Sequence, residues 1–95
     1  MRTEIINAIK NQQIIKLYYE GELRIVEPYC YGKTTVGNEG LRAYQICGYS
    51  SSESIGWKMF DLGRADDVAI TEHNFIIRTG YKKGEKGMSV IFAEI

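Results

Sequence analysis

The chain predicts a mainly β domain with one N-terminal helix, on three observations. Short segments alternate in hydrophobicity along most of the sequence, glycine- or serine-rich turns separate them, and apolar residues recur at helical spacing only near the N-terminus. The first element follows from Ile5, Ile6 and Ile9, which fall on one helical face, with Thr3 as an acceptable N-cap and Asn11-Gln12-Gln13 as the stop, so a helix is expected over about 3–12.

Residues 14–19 then alternate, with Ile15, Leu17 and Tyr19 on one side and Lys16 and Tyr18 on the other. Glu20-Gly21-Glu22 supplies the glycine of a tight hairpin into a second strand, 23–31. That strand holds the single proline, Pro28, which cannot donate a ladder hydrogen bond and so predicts an edge, a bulge or a bend. A polar loop is expected over 32–40. Residues 41–49 alternate again, Leu41, Ala43 and Cys47 against Arg42, Tyr44 and Ile46, and Ser50-Ser51-Ser52-Glu53-Ser54 is the next turn. A fourth strand over 55–62 sets Trp57 and Met59 against Lys58, Phe60 and Leu62. A short fifth, 68–71, follows a turn at Ala65-Asp66-Asp67. Five short strands after one helix favour a small closed or nearly closed barrel over about 14–72, with a C-terminal extension over 73–95.

The extension ends in an apolar tail in which Val90, Ile91, Phe92 and Ile95 would form an adhesive edge if left in water. It is expected to pair either with the open edge of its own barrel or with a second copy, giving a dimer.

With 95 residues the chain has room for one domain, 1–95, burying somewhat over ~60% of its unfolded surface. Twelve basic and twelve acidic side chains cancel, so binding of a phosphate backbone would need a local cationic patch. Cys30 and Cys47 lack C-x-x-C spacing and share the chain with the single histidine, His73, which leaves reduced, packed thiols as the expectation and no resident metal or cofactor. No apolar stretch reaches the ~18–20 residues of a membrane span and no secretory leader pattern opens the chain, which predicts a soluble, cytoplasmic protein.

Catalytic constellations are scarce. His73 stands in an expected exposed turn, and no serine or cysteine has a nucleophile context. Gly32-Lys33-Thr34 resembles the end of a P-loop, but Glu27 stands where its first glycine belongs. Glu20 with Glu22, and Asp66 with Asp67, read as solvated turn residues. The chain is therefore expected not to be an enzyme. What remains are cations and aromatics: Arg42 and Tyr44 lie two apart on one strand, Lys58 and Phe60 two apart on the next, so Arg42, Tyr44 and Lys58 could share one surface. Such a cluster suits a nucleotide or a single strand, with guanidinium on phosphate and rings on bases. It is equally consistent with an ordinary solvated face.

At these residues the chain resembles the WYL-domain family, whose pattern runs from a helix through a strand ending in Tyr, an Arg-x-Val-x-Pro segment, the name-giving Trp-Tyr-Leu strand and a basic-x-Phe-x-Leu-x-Arg strand. Tyr19, Arg24, Val26, Pro28, Tyr44, Lys58, Phe60, Leu62 and Arg64 match in order, and the similarity covers about 5–75. The triplet itself reads Ala43-Tyr44-Gln45, and Trp57 lies on the following strand. The resemblance implies an SH3-like (Sm-type) five-stranded barrel that senses a ligand, often nucleic acid or a nucleotide-like molecule, in a regulatory role in bacteria or phage. A single helix cannot make a helix-turn-helix, so major-groove reading is not expected. The expected ligand residues are Arg24, Arg42, Lys58 and Arg64 for phosphates and Tyr18 and Tyr44 for stacking, with Arg64 weighted most among the cations. The competing reading is a protein-interaction or homo-oligomerisation module, using the tail strand and Tyr29, Tyr31 and Tyr49 as anchors.

Overall fold

A computed structural model describes residues 2–48, 55–84 and 86–95. Tyr49, the serine-rich turn at Ser50-Ser51-Ser52-Glu53-Ser54 and Glu85 lie outside them. One helix, α1 (Thr3–Lys10), precedes six antiparallel strands of a single sheet: β1 (Gln13–Tyr19), β2 (Glu22–Thr34), β3 (Glu39–Gly48), β4 (Gly56–Asp61), β5 (Ala65–Asn74) and β6 (Met88–Glu94). The strand order is β4-β3-β2-β1-β5, and β6 pairs with β2.

The helix starts at Thr3, as expected, but its cap falls one residue earlier. Arg2 is the extended cap residue and offers no side-chain hydrogen bond, while Thr3 is already helical. The helix stops at Lys10, and Gln12 turns left-handed at φ 51, which redirects the chain into β1. Ile5, Ala8 and Ile9 are buried against the strands, joining Ile15, Leu17, Val26, Tyr31, Leu41, Phe60 and Leu62 in the main core. The hairpin after β1 forms as expected, with both Glu20 (φ 52) and Gly21 (φ 84) left-handed, the conformation that matches the twist of a tight two-residue turn.

β2 runs longer than expected, through Thr34, so the polar loop shrinks to the residues between β2 and β3. The tail causes this extension: Gly32, Lys33 and Thr34 pair with Ile91, Val90 and Met88 on one edge, while Gly32 and Lys33 pair with Gly40 and Glu39 on the other. The apolar tail therefore docks within its own chain.

Pro28 lies beside a bulge. Pro28 pairs with Ala43 and Cys30 with Arg42, leaving Tyr29 as the extra residue. Two further expectations shift for local reasons. Ala65-Asp66-Asp67 is part of β5 rather than a turn, because the 3-10 turn at Leu62–Arg64, capped by the Asp61 carboxylate accepting from the Gly63 N–H, has already reversed the chain. Asp67 is left-handed at φ 52 where the β1–β5 register slips, and His73 lies near the end of β5 rather than in a turn. On β3, Leu41 and Ala43 are buried as expected, but Cys47 is exposed and Gln45 takes the next core place. Cys30 is buried, and neither Cys30 nor Cys47 forms a disulfide. No helix among the described residues is long and apolar enough to cross a membrane.

At Gly32 the backbone of β6 passes close to β2: a Cβ there would run into the Val90 carbonyl oxygen. Gly32→Ala is expected to cost about 1–3 kcal/mol of unfolding free energy through this overpacking, read as a lowered denaturant midpoint. The tail strand should lose amide-exchange protection first.

Candidate functional site

Cross-strand register determines what the outer face of β2, β3 and β4 carries. Residues directly opposite in an antiparallel pair project to the same side. Glu27 opposes Tyr44, Cys30 opposes Arg42, Arg42 opposes Met59 and Tyr44 opposes Trp57, and all of these lie on the face away from the Leu41 and Phe60 core. Tyr29, two residues beyond Glu27, joins them: its ring lies 4.7 Å from Trp57, 5.4 Å from Phe75 and 4.9 Å from Tyr81. The segment after β5 thus folds back across the sheet and covers these rings. Trp57 in turn meets Tyr44 at 5.3 Å and Tyr81 at 5.6 Å, completing a second, aromatic cluster outside the main core.

Polar bonds pin this strap at both ends. The Arg78 guanidinium donates to both Glu27 carboxylate oxygens, at 2.9 and 3.3 Å, and lies 3.7 Å from the centre of the Tyr44 ring, while its backbone N–H donates to the Tyr29 hydroxyl at 2.8 Å. The bond to Glu27 holds the guanidinium pKa above its ordinary value. Further on, the Tyr81 hydroxyl and the Gly84 N–H both donate to the same Glu94 oxygen on β6, at 2.7 and 2.8 Å. Between these anchors the strap and the sheet leave an open cleft of about 250 Å³ lined by Arg42, Trp57, Gly80, Tyr81 and Lys82. A neighbouring hollow of about 290 Å³ shares Lys82 and adds Lys83, Gly84 and Lys86.

The residues expected to form a ligand surface are divided by this geometry. Arg42 and Tyr44 do share a face, and Arg42 lines the cleft, but Lys58 opposes Ala43 and so faces the other side of the sheet with Phe60. The alternation of each strand was read correctly; the pairing register, which puts Tyr44 opposite Trp57 rather than Lys58, separates them. Tyr44 has its ring covered by Arg78 and Trp57, leaving little of it for a base. Arg24 is buried at 7% exposure on the core side, its guanidinium 5.3 Å from the Tyr19 ring and 5.9 Å from the Phe60 ring. It donates to the Gln45 side chain at 3.4 Å, and Gln45 donates to the Cys47 carbonyl, which is how a glutamine is accommodated in this core.

Arg64 lies on the 3-10 turn, 3.6 Å from Glu20 and 3.8 Å from Asp61, a surface arrangement in which both partners are carboxylates of neighbouring turns. Tyr18 is exposed on β1 but pairs with Leu23, four residues along β2 from the Glu27 that opposes Tyr44, or ~13 Å at the rise of a strand. Tyr29 and Tyr31, expected as alternative interface anchors, are both fully buried. The cleft residues absent from the expected set are Trp57, Tyr81 and Lys82. Their signal was the interleaving of aromatic and lysine in Gly80-Tyr81-Lys82-Lys83, but nothing local says which sheet face the segment crosses.

No family model matches the chain, and no curated protein and no solved structure matches it. The cleft therefore has to be read from its own chemistry: a cation and a ring from the sheet, Arg42 and Trp57, facing a ring and a cation from the strap, Tyr81 and Lys82. Among the described residues no group of His, Cys, Asp and Glu is placed to hold a metal ion.

Two outcomes are expected from the buried tyrosines and the strap. Burial, with the bond to Glu39, pushes the Tyr31 hydroxyl up from 10.0 to about 12; burial also raises Tyr29, and burial with the bond to Glu94 raises Tyr81. Above pH 10 the unfolded chain loses protons that the folded chain keeps, so this contribution is complete below pH 10 and is lost as pH rises toward 12. Unfolding free energy measured across pH 9–12 should fall, and Tyr81→Phe should make the fall shallower. Arg78→Ala leaves the Glu27 carboxylate buried without its cation, at a cost of about 1–3 kcal/mol. Trp57 fluorescence should shift red at the same time as the strap loosens.

Proposed function

We propose that the chain is a ligand-binding module that takes an anionic, ring-bearing ligand, a nucleotide or a short stretch of single-stranded nucleic acid, in the cleft between β3–β4 and the strap. The observation that carries this reading is the convergence of Arg42, Lys82, Trp57 and Tyr81 on one cleft in a protein whose net charge is zero. A local cationic patch is what a neutral chain needs to attract phosphate. Trp57, 39% exposed, offers a surface on which a base can stack, and Tyr81 is held rigid by its bond to Glu94. Arg42 supplies a planar fork for phosphate oxygens and Lys82 a mobile point charge.

The strand order β4-β3-β2-β1-β5, with a 3-10 turn joining β4 to β5, supports an SH3-like (Sm-type) barrel of the WYL kind as the frame for this site. In that reading the ligand meets the outer face through the strap, while Arg24 and Gln45 serve the core. A ligand-sensing role follows from the strap, since a ligand held by Lys82 and Tyr81 stabilises the closed arrangement of a segment that links β5 to β6. No catalytic role is assigned to the cleft.

Fluorescence polarisation with a labelled single-stranded oligonucleotide at low salt tests the proposal. Trp57→Ala is expected to weaken binding about tenfold or more, in line with ~1–3 kcal/mol per stacked base. Arg42→Ala should weaken it and make the slope of log K against log salt shallower by about 0.7, one phosphate contact on a single strand. No detectable binding by the parent chain, or unchanged binding in both folded variants, would sink the assignment.

A further inference from the structure

The lysine hollow beside the cleft is better defined than a lysine-rich surface loop needs to be. Glu94 accepts from Tyr81 and from the Gly84 N–H through a single oxygen, at 2.7 and 2.8 Å, and so draws the two ends of the stretch carrying Lys82 and Lys83 onto β6. Lys82, Lys83 and Lys86 line one hollow of about 290 Å³, and the run 82–86, with Glu85 as its one acid, keeps a clear excess of positive charge. Gathering three ammonium groups around one hollow raises their mutual repulsion, which an anion placed among them would relieve. Lys82 belongs to both hollows, so an anion bound in the second would be a direct neighbour of one bound in the cleft.

Resting on the ligand reading given above, we infer that this hollow is a second phosphate subsite, so that the ligand carries at least two phosphates. One is held in the cleft by Arg42 and Lys82. The next is held by Lys83 and Lys86, with Lys82 bridging the two positions. Two sources share that chemistry, the diphosphate of a nucleotide and the successive backbone phosphates of a single strand.

Isothermal titration with AMP, ADP and the dinucleotide pApA separates the possibilities. Both two-phosphate probes, or one of them, should bind at least tenfold more tightly than AMP, and which one does so identifies the source of the second phosphate. The double variant Lys83→Ala/Lys86→Ala, confirmed folded by its denaturation midpoint, should erase that advantage while leaving AMP affinity unchanged. Equal affinity for all three probes, or an advantage that survives in the double variant, would overturn the second subsite and leave the cleft reading intact. Failure of all three probes to bind would overturn both.

Discussion

β2 has three neighbours to satisfy, β1 and then β6 along one edge and β3 along the other, and the change from β1 to β6 falls at Pro28 and Tyr29. Val26 is the last residue paired with β1 and Cys30 the first paired with β6. Proline suits this gap because it brings no N–H that would need an acceptor there. The bulge that follows has a second consequence. Glu27 and Tyr29 share the outer face by ordinary alternation, and the extra residue is what returns Tyr31 to the inner core opposite Leu41 while Tyr29 stays outside with Trp57, Phe75 and Tyr81. One local irregularity thus lets neighbouring parts of β2 give Tyr29 to the aromatic bed under the strap and Tyr31 to the core behind it.

Two hydrophobic clusters share the sheet as a common wall. The inner one, closed by α1, is built from aliphatic side chains with Tyr31 and Phe60, and its polar groups bond at the margin, Arg24 to Gln45 and the Tyr31 hydroxyl to Glu39. The outer one is almost wholly aromatic and is tied by charged bonds, Arg78 to Glu27 and Tyr81 to Glu94. Rings can pack edge to face with part of their surface in water, whereas aliphatic side chains gain only by burial. This difference lets the outer cluster remain partly open as a cleft while the inner one is closed.

The resemblance to WYL domains rested on residues that the structure divides between two jobs. Tyr19, Val26, Phe60 and Leu62 pack in or against the inner core, and Arg24 lies over the rings of Tyr19 and Phe60. Arg64 bonds at its own turn, and of the positively charged positions expected to meet a ligand only Arg42 lines the cleft. Gln45, in the place of an apolar residue of the pattern, is matched by the buried arginine rather than by a ligand.

Helix, hairpin, bulge position and core-facing residues of β1 and most of β3 were legible from the sequence, because each depends on interactions within a few residues: periodicity, a glycine that tolerates positive φ, a proline that lacks a donor. Which strand faces which was not legible. Lys58 and Arg42 parted company because cross-strand register is a property of two segments, and a shift of one residue exchanges the faces. The extension of β2 and the crossing of Tyr81 and Lys82 over Trp57 likewise depend on a tail and a strap far away in sequence, whose docking reflects the total apolar and ring surface they bury. By itself the sequence determined the elements and the chemical groups available. Tertiary structure alone decided which of those groups meet in one cleft, since convergence is set by non-local pairing and packing.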